Sequence, residues 1–520
     1  MTAPGWTLGR ASERRAERAD RTAIAAAAFI VLGALAAGIL AADAPLLVVA
    51  AASGLFLAIA MVLRPDVATL TSIGVIYSNA AVVLVRFHGL PVFVAAFVPL
   101  LMLVPLARDL VVRRLPVVAP PAMGWMVVLL GIYFVSALFS ADTKRSWDAV
   151  TVFLTEGFIL FFLLINVIRT PEMVRSVTWV LLAAGAFVSL FAVHQNLTGN
   201  YDSNYFGFAQ ADATIRTGVT TLTGDVLQPR MAGSIGETNR FAQTMLMLVP
   251  LGIFRAVAER SAALRLTAGV MTVLITVGVI LSFSRGAAVG LAALVVALMA
   301  MRMIRAHHVL VIVTALVLIL AAFPQYTNRI TSLAGVGGFE QAGSSAVDNS
   351  LLSRVTETVA AGLVMLDHPL IGVGPAMFPA YYEPYANTVG ILVRNDAERE
   401  AHNLYLGVGA ELGLPGLIAF LLVALSVVGL LRKARRVSLP SRPDLERLTT
   451  PFLLALLTYY VTGLFLHLSF GRFYWLMLAV ATAAAIVTLR EVAPSDEPTE
   501  VREAGRRRPA LAQRPLDQSV

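Results

Sequence analysis

The chain alternates long apolar runs with short polar links. Each run holds roughly 14–28 residues, and most are long enough to cross the hydrocarbon core of a bilayer as a helix. The runs cover residues 22–42, 45–63, 67–85, 91–107, 121–139, 149–168, 176–196, 241–254, 266–282, 287–301, 309–323, 404–431, 449–466 and 473–489. Backbone groups within lipid must be satisfied inside each span, and the sequence lacks the alternating strands of a membrane barrel. The pattern therefore predicts an all-α, polytopic integral membrane protein with about 12–14 transmembrane helices.

Two polar links are far longer than the others, at residues 197–240 and 324–403. Connections of this length are usually functional. Within the second link, residues 350–366 place apolar side chains on one helical face, which predicts an amphipathic helix lying on the membrane surface. These side chains are Leu351, Val355, Val359, Leu363 and Leu366. Residues 367–385 follow as a predicted loop that is rich in Gly, Pro and aromatic residues.

The runs and links divide the chain into four segments. Residues 1–21 form a basic N-terminal segment, and residues 22–196 hold the first group of transmembrane helices. Residues 197–489 hold both long links and the remaining helices. Residues 490–520 are rich in Pro, Glu and Arg with little apolar content, which predicts a disordered tail.

Composition and charge agree with this organisation. Only 14% of the residues are charged and 58% are hydrophobic, with a mean hydropathy of +0.78. The net charge is +8, and Lys and Arg concentrate in alternate links such as 107–115 and 432–447, as in cytoplasmic loops. Both termini are therefore predicted to be cytoplasmic, and both long links are predicted to lie outside. The topology also accounts for the positive net charge, so no nucleic-acid partner is needed to explain it. The chain has no cysteine, which excludes a disulfide framework, a thiol nucleophile and a Cys-based metal site.

Under this topology, several polar residues that are unusual beside membrane spans fall on the outer face. They are Arg230, Asn239, Ser284, Arg285, Arg354, His402, Asn403 and Arg472. A further ionisable residue, Glu411, lies inside the run that begins after Asn403. We interpret Asn403 as the N-cap of this run and place a kink at Leu414–Pro415–Gly416, because Pro cannot donate a backbone hydrogen bond.

Each of these residues also has a purely structural interpretation. Arg285 would serve as a membrane anchor whose long side chain reaches the headgroups. Arg230 would be an ordinary loop residue and His402 an ordinary interfacial histidine. Glu411 would satisfy backbone groups that Pro415 leaves unpaired. Arg285 stands out because it lies in a very short link on the side where arginine is scarce.

The chemistry available to these residues is limited. The sequence contains no HExxH, no P-loop, no GxGxxG after a strand, no Asp-rich cluster and no nucleophile elbow around Ser284. A histidine suited to proton transfer near neutral pH remains, together with arginines suited to bidentate phosphate binding. This combination indicates a phosphate-bearing lipid as leaving group and a hydroxyl as nucleophile.

Four segments then resemble, in order and spacing, the O-antigen ligase and O-antigen polymerase superfamily. They are "RMAGSIGETNRFA" (230–242), "SFSRGAAVGL" (282–291), "HPLIGVGPAMF" (368–378) and "HNLYLGVGAELGLPGLIAF" (402–420). The resemblance covers about residues 230–425, whereas the first 200 residues resemble the family only as hydrophobic spans. The number of spans is slightly above that usual for ligases, and the large C-terminal soluble domain of some protein-glycosylating members is missing. Both departures leave the acceptor open.

The resemblance implies a GT-C-like membrane glycosyltransferase of the bacterial inner membrane with its active site outside. Such an enzyme takes a glycan from an undecaprenyl-diphosphate donor and passes it to a hydroxyl of a glycan, a lipid core or a protein, without a nucleotide sugar, a metal or another cofactor. Carried over by position, Arg230 and Arg285 would hold the diphosphate and His402 would be the catalytic base. Supporting roles would fall to Asn239, Arg354, Asn403, Tyr405, Glu411 and Arg472.

A transporter or flippase of lipid-linked glycans is the main alternative, because it too would use basic residues facing a cavity. A transporter should carry ionisable residues near the middle of the bilayer. The polar residues of this chain crowd the outer interface instead, which favours the enzyme. A membrane scaffold for envelope assembly is a third, weaker interpretation.

Overall fold

The computed structural model describes residues 60–493, apart from 62, 222–223, 305–348, 392–397, 441 and 468–470. The predicted spans 22–42 and 309–323 and most of 45–63 lie outside the described residues. So do the basic segment 1–21 and nearly all of the tail 490–520. The count of 12–14 transmembrane helices and the four-segment division therefore stay predictions.

The described residues are mainly helical. The helices are α1 (Pro65–Tyr77), α2 (Ala80–His88), α3 (Val92–Leu100), α4 (Leu103–Ala107), α5 (Pro121–Leu138), α6 (Thr143–Val167), α7 (Pro171–Thr198), α8 (Thr238–Ala258), α9 (Ala262–Leu281), α10 (Arg285–Ala300), α11 (Asn349–Asp367), α12 (Phe378–Val389), α13 (Leu404–Ser438), α14 (Pro443–Thr462) and α15 (Arg472–Val492). Within the described ranges, seven helices are long and apolar enough to cross a membrane, or eight if the bent pair α1–α2 is one span. The predicted class of an all-α polytopic membrane protein is confirmed.

Two predicted spans are broken. The run 67–85 forms α1 and α2, which meet at 58° where Asn79 adopts a left-handed conformation (φ 61°). The run 91–107 forms α3 and α4, with Pro99 close to the break. Proline removes a backbone donor and clashes with the preceding turn, so it favours a break at this place.

The link 197–240, expected as a loop, contains the antiparallel hairpin of β1 (Gln210–Thr221) and β2 (Gly224–Gly233). Its sequence is rich in β-branched residues, including Ile215, Val219 and the threonines around them. Such residues favour strands, and this signal was missed. The hairpin matters for the site because β2 carries Arg230.

Helix α15 occupies the centre of the fold. It packs on α6, α13 and α14, and its residues from Tyr474 to Thr488 are nearly all buried. Small residues such as Ala479, Ala481 and Ala484 let neighbouring helices approach closely, as is usual in membrane bundles. Helix α13 packs on α5, α11, α14 and α15, so it connects the central bundle to the outer segments.

The predicted amphipathic helix is confirmed as α11. Its apolar stripe is partly exposed at Val355 (41%), Val359 (42%) and Leu366 (69%), whereas Leu351 lies outside the residues whose side chains are described. The opposite face is buried, with small or polar residues such as Thr356 packed inward. The position of α11 on the membrane surface stays a prediction.

The loop predicted for residues 367–385 is wrong over residues 378–385, because these residues begin helix α12. Pro379 fits the first turn, where a backbone donor is not needed. Phe378, Tyr382 and Ala386 are spaced one turn apart and bury one helical face. Only residues 368–377 connect α11 to α12 as a loop.

Candidate functional site

Arg285 is presented by the tight turn between α9 and α10. Helix α9 ends at Leu281, and Ser284 caps α10 by accepting a hydrogen bond from the Ala287 N–H (3.4 Å). Phe283 takes a left-handed conformation (φ 51°) to reverse the chain. Arg285 is therefore the first residue of α10, at a helix N-terminus that attracts anions.

Arg230 holds this turn in place through hydrogen bonds. Its Nε donates to the Ser282 carbonyl (3.1 Å), and its Nη2 donates to Asn239 Oδ1 (3.2 Å). Asn239 lies in the first turn of α8, whose N-cap Glu237 accepts from the N–H groups of Asn239 and Arg240. The hairpin, α8 and the α9–α10 turn are thus fixed to one another by one guanidinium group.

His402 and Asn403 lie at the start of α13. As predicted, Asn403 is the N-cap, because its Oδ1 accepts from the N–H groups of Tyr405 and Leu406 at 3.0 Å each. The Asn403 amide also donates to the Leu464 carbonyl (3.2 Å). His402 has a left-handed conformation (φ 44°), which is uncommon for a residue with a side chain.

The break in α13 determines the hydrogen bonds that the Glu411 carbonyl accepts. Pro415 lacks the N–H that would bond to the Glu411 carbonyl four residues earlier. That carbonyl instead accepts from Gly374 N–H (3.0 Å) and Ser136 Oγ (3.0 Å). The helix is non-helical at Gly413 (φ 69°), one residue before the predicted kink. Glu411 itself is 1% exposed, so it supports this junction and does not face a cavity.

The junction docks the loop 368–377 onto α13. Val373 N–H donates to the Ala410 carbonyl (3.0 Å), and a Cβ at Gly372 (φ 72°) would lie only 2.3 Å from the backbone of Glu411. Glycine is therefore required for the close approach of the two backbones. Because the loop follows α11 directly, this docking also fixes α11 against the start of α13.

Helix α11 brings two further charged residues to His402. Arg354 lies on its cavity side, and Glu357 is buried with 1% exposure. Glu357 Oε2 is 3.5 Å from His402 Nε2, while its Oε1 accepts from Ser353 Oγ (2.9 Å) and lies 3.8 Å from Arg399 Nη1. Glu357 thus lies behind the imidazole and favours a proton on Nε2.

These elements line one open cavity of about 340 Å³, the arginine–histidine cavity. Its polar groups come from Arg285, Arg354, Thr358 and His402, and the rest of its wall is apolar. The apolar part consists of Gly286, Val289, Val355, Val359, Leu464 and Phe465. An anionic group beside the arginines and a lipid chain along the apolar wall would both fit this lining.

His402 is neutral in this environment. Burial first, and then the charges of Arg354, His467, Arg399 and Arg240, lower the pKa of His402 to about 3. The nearby Glu357 carboxylate does not outweigh these effects. The imidazole therefore has a free lone pair at pH 7 and can accept a proton.

A second cavity, the polar cavity, has a volume of about 320 Å³. Its charged lining residues are Glu156, Arg240, Glu400, His467 and Arg472. His467 Nε2 is 3.3 Å from Glu400 Oε2, and Arg472 Nη1 is 3.3 Å from Glu156 Oε1. Arg472 also donates to Asn79 Oδ1. Burial lowers the pKa of His467, and the neighbouring Glu400 only partly opposes this shift.

The structure therefore brings together three of the residues selected from the sequence, Arg285, Arg354 and His402. Arg230 and Asn239 do not line the arginine–histidine cavity but hold the turn beside it, and Arg472 lines the polar cavity. Tyr405 also points elsewhere, with its hydroxyl donating to the Tyr460 carbonyl (2.8 Å). Among the described residues, no group of three His, Cys, Asp or Glu side chains could hold a metal ion.

Sequence reasoning missed Glu357, Glu400 and His467. Glu357 lies on the polar side of the amphipathic helix, where a carboxylate is unremarkable. Glu400 is two residues before His402, and His467 is an ionisable residue at the end of an apolar run. The last feature is a usable signal, because ionisable residues beside spans are often functional.

Comparison with known families agrees with this geometry. Residues 270–421 match the family model described as O-antigen ligase, which is under a third of the chain. The matched region contains Arg285, Arg354, Glu357 and His402. No curated protein matches the chain. The family match confirms the resemblance to the O-antigen ligase superfamily and supports, in general terms, a membrane glycosyltransferase of ligase or polymerase type.

Proposed function

We propose that the protein transfers or polymerises an undecaprenyl-diphosphate-linked glycan onto an acceptor hydroxyl, with the reaction at the arginine–histidine cavity. The observation that carries the proposal is the convergence of Arg285, Arg354 and neutral His402 in one apolar-walled cavity. Residues from α10, α11 and the start of α13 meet there although they are far apart in sequence. The acceptor is a glycan, a lipid core or a protein.

In the proposed reaction, the acceptor oxygen attacks the anomeric carbon of the donor glycan. The bond between that carbon and the diphosphate oxygen breaks, undecaprenyl diphosphate leaves, and the acceptor proton passes to His402. Because Glu357 lies against Nε2, the accepting atom is Nδ1. One in-line displacement inverts the configuration at the anomeric carbon.

The arginines stabilise the leaving group. Negative charge grows on the diphosphate oxygen as the bond breaks, and fixed guanidinium groups in an apolar-walled cavity stabilise that charge without rearrangement. The bound diphosphate also places negative charge near His402, which raises the pKa of the imidazole when the donor is present. Arg230 keeps the α9–α10 turn in place, so it acts as a positioning residue for Arg285.

A transporter or flippase of the same lipids is the second candidate. Three of the ionisable residues of the two cavities lie at the ends of helices, because Arg285 begins α10, His402 precedes α13 and Arg472 begins α15. Arg354 lies within α11, and Glu156 lies within the apolar helix α6. Residues at helix ends face the membrane interface, where transfer to a water-exposed acceptor can occur. A transport path would place such groups deeper in the bilayer.

The cavities are proposed to face the periplasmic or extracellular side of the bacterial inner membrane, with both termini in the cytoplasm. Lys and Arg asymmetry predicts that residue 345 lies outside and that residues 440 and 505 lie inside. Compartment-sensitive reporters fused at these three positions test the arrangement. A cytoplasmic signal at 345 would contradict the outer location of the site.

The transfer reaction is tested with purified protein in proteoliposomes, an undecaprenyl-diphosphate-linked glycan and candidate acceptors. Mass spectrometry should show glycan on the acceptor and one undecaprenyl diphosphate released for each glycan transferred. Movement of intact donor between leaflets without cleavage would support the transporter instead.

A further inference from the structure

The polar cavity lies directly beside the arginine–histidine cavity. Two short segments contribute to both cavities. In residues 400–402, Glu400 lines the polar cavity and His402 lines the arginine–histidine cavity. In residues 464–467, His467 lines the polar cavity, whereas Leu464 and Phe465 line the arginine–histidine cavity. The charges of Arg240 and His467 in the polar cavity also act on His402. A molecule in the polar cavity would therefore lie next to the proposed base.

The lining of the polar cavity suits a sugar. Sugar hydroxyls both donate and accept hydrogen bonds, so a site that combines carboxylates with arginines can pair with several of them. Glu156 (39% side-chain exposure) and Glu400 (41%) supply acceptors, and Arg472 (21%) supplies donors. Phe473 adds a partly exposed aromatic surface. A lipid chain would not fit among these charges, because it could not replace their lost hydration.

The two histidine–carboxylate pairs differ in which member is accessible and which is buried. In the arginine–histidine cavity, His402 is accessible (28%) and Glu357 is buried behind it (2%). In the polar cavity, Glu400 is accessible (41%) and His467 is buried behind it (8%). The accessible member of each pair is the one that can touch a bound molecule, so Glu400 is the contact residue and His467 its positioning residue.

We propose that the polar cavity binds the sugar that carries the acceptor hydroxyl, with Glu156 and Glu400 accepting hydrogen bonds from its other hydroxyl groups. This inference rests on the proposed glycan transfer. The acceptor then lies on the far side of segments 400–402 and 464–467 from the diphosphate. Its reacting hydroxyl reaches His402 across the edge that the two cavities share.

The test compares Glu400→Gln with Glu398→Gln. Glu398 is two residues away and pairs with Arg145 at the surface (2.8 Å), outside both cavities, so its replacement should have little effect. Glu400→Gln removes a charged acceptor and should raise the acceptor KM about tenfold, as expected for loss of one charge-assisted hydrogen bond. Binding of undecaprenyl-diphosphate-linked donor, measured separately by native mass spectrometry, should stay unchanged. Glu156→Gln should act in the same way.

Each outcome separates the two proposals. If wild-type protein transfers glycan and Glu400→Gln has a normal acceptor KM, the acceptor site is wrong while the enzyme stands. If Glu400→Gln and Glu156→Gln weaken donor binding instead, the polar cavity holds the donor sugar and the assignment is overturned. If wild-type protein transfers no glycan to any acceptor, the proposed function itself fails. Because Glu400 and Glu156 are both partly exposed, neither amide variant should prevent folding.

Discussion

The arginine–histidine cavity and the polar cavity are neighbours of similar volume, yet their walls differ. The first combines two arginines with apolar side chains from α10, α11 and residues 464–465, whereas the second mixes acidic and basic side chains. Each contains a histidine–carboxylate pair with one accessible and one buried member, and the accessible member is the histidine in the first cavity and the carboxylate in the second. A lowered histidine pKa therefore does not identify the base, because burial lowers the pKa of both His402 and His467. Accessibility and neighbouring charge distinguish them.

The largest expected effect separates the two histidines. His402→Ala should fold normally and lower turnover by about 10²–10⁴, the usual contribution of a general base. His467→Ala should lower turnover less than about tenfold and act mainly on the acceptor KM. Single-turnover transfer by both purified variants is the measurement. Equal losses in turnover would show that the two cavities do not divide the reaction in this way, and near wild-type turnover of His402→Ala would leave His402 as an interfacial residue.

The next effect concerns Arg285, which is either a diphosphate ligand or a membrane anchor. Arg285→Lys keeps the charge but loses the planar pair of donors that binds phosphate. We expect donor binding to persist and turnover to fall at least about tenfold, or about 1.4 kcal/mol of transition-state stabilisation.

Arg302 provides the matched control for this substitution, because it follows the other end of α10 and is exposed. Arg302→Lys should leave turnover unchanged, since a lysine serves an anchor equally well. If Arg285→Lys also keeps full turnover, Arg285 is only an anchor and Arg354 becomes the main candidate for the diphosphate.

A smaller effect concerns the orientation of His402. Glu357→Gln keeps the shape of the side chain but removes the negative charge behind Nε2, so the imidazolium that forms during transfer is less stable. We expect a loss of about tenfold in turnover with an unchanged acceptor KM, because Glu357 does not line either cavity. Steady-state kinetics at saturating donor measure both parameters. A change confined to the acceptor KM would place Glu357 in substrate binding instead.

The smallest effect is on pH dependence. The pKa of His402 is lowered to about 3 in the free protein, so the imidazole stays unprotonated as the pH falls from about 8 to 5. Bound diphosphate offsets the arginine charges and raises this pKa. The acid limb of kcat should therefore lie at higher pH than the acid limb of kcat/KM for the donor. Profiles in which the kcat/KM limb lies at equal or higher pH would show that the donor does not act on His402.

The local features of the site could be predicted from the sequence. Asn403 is the N-cap, as its position before an apolar run indicates. Arg285 begins α10, as expected from the very short link between the two apolar runs. The break in α13 lies at Gly413 and not at Leu414–Pro415–Gly416, because the loop 368–377 needs room against the backbone of α13.

The sequence could not predict which residues that are distant along the chain lie together in the fold. The pairing of Glu357 with His402 depends on how α11 docks on α13, which is set by hydrogen bonds between residues 373–374 and 410–411. Arg472 is separated from His402 because α15 packs against α6, where Arg472 pairs with Glu156. Charge and periodicity predict that His402 and Arg472 lie on one face of the membrane, but they contain no information on which neighbours share a cavity.

We propose that the arginine–histidine cavity holds the donor diphosphate. A donor analogue with a photoreactive group on the prenyl unit next to the diphosphate tests it directly, with labelled peptides identified by mass spectrometry. We predict labelling at residues 285–289 and 354–359, and loss of labelling when excess undecaprenyl diphosphate competes. Labelling of peptides that contain Arg240 or Arg472, without labelling at 285–289 and 354–359, would contradict the assignment and place the donor in the polar cavity.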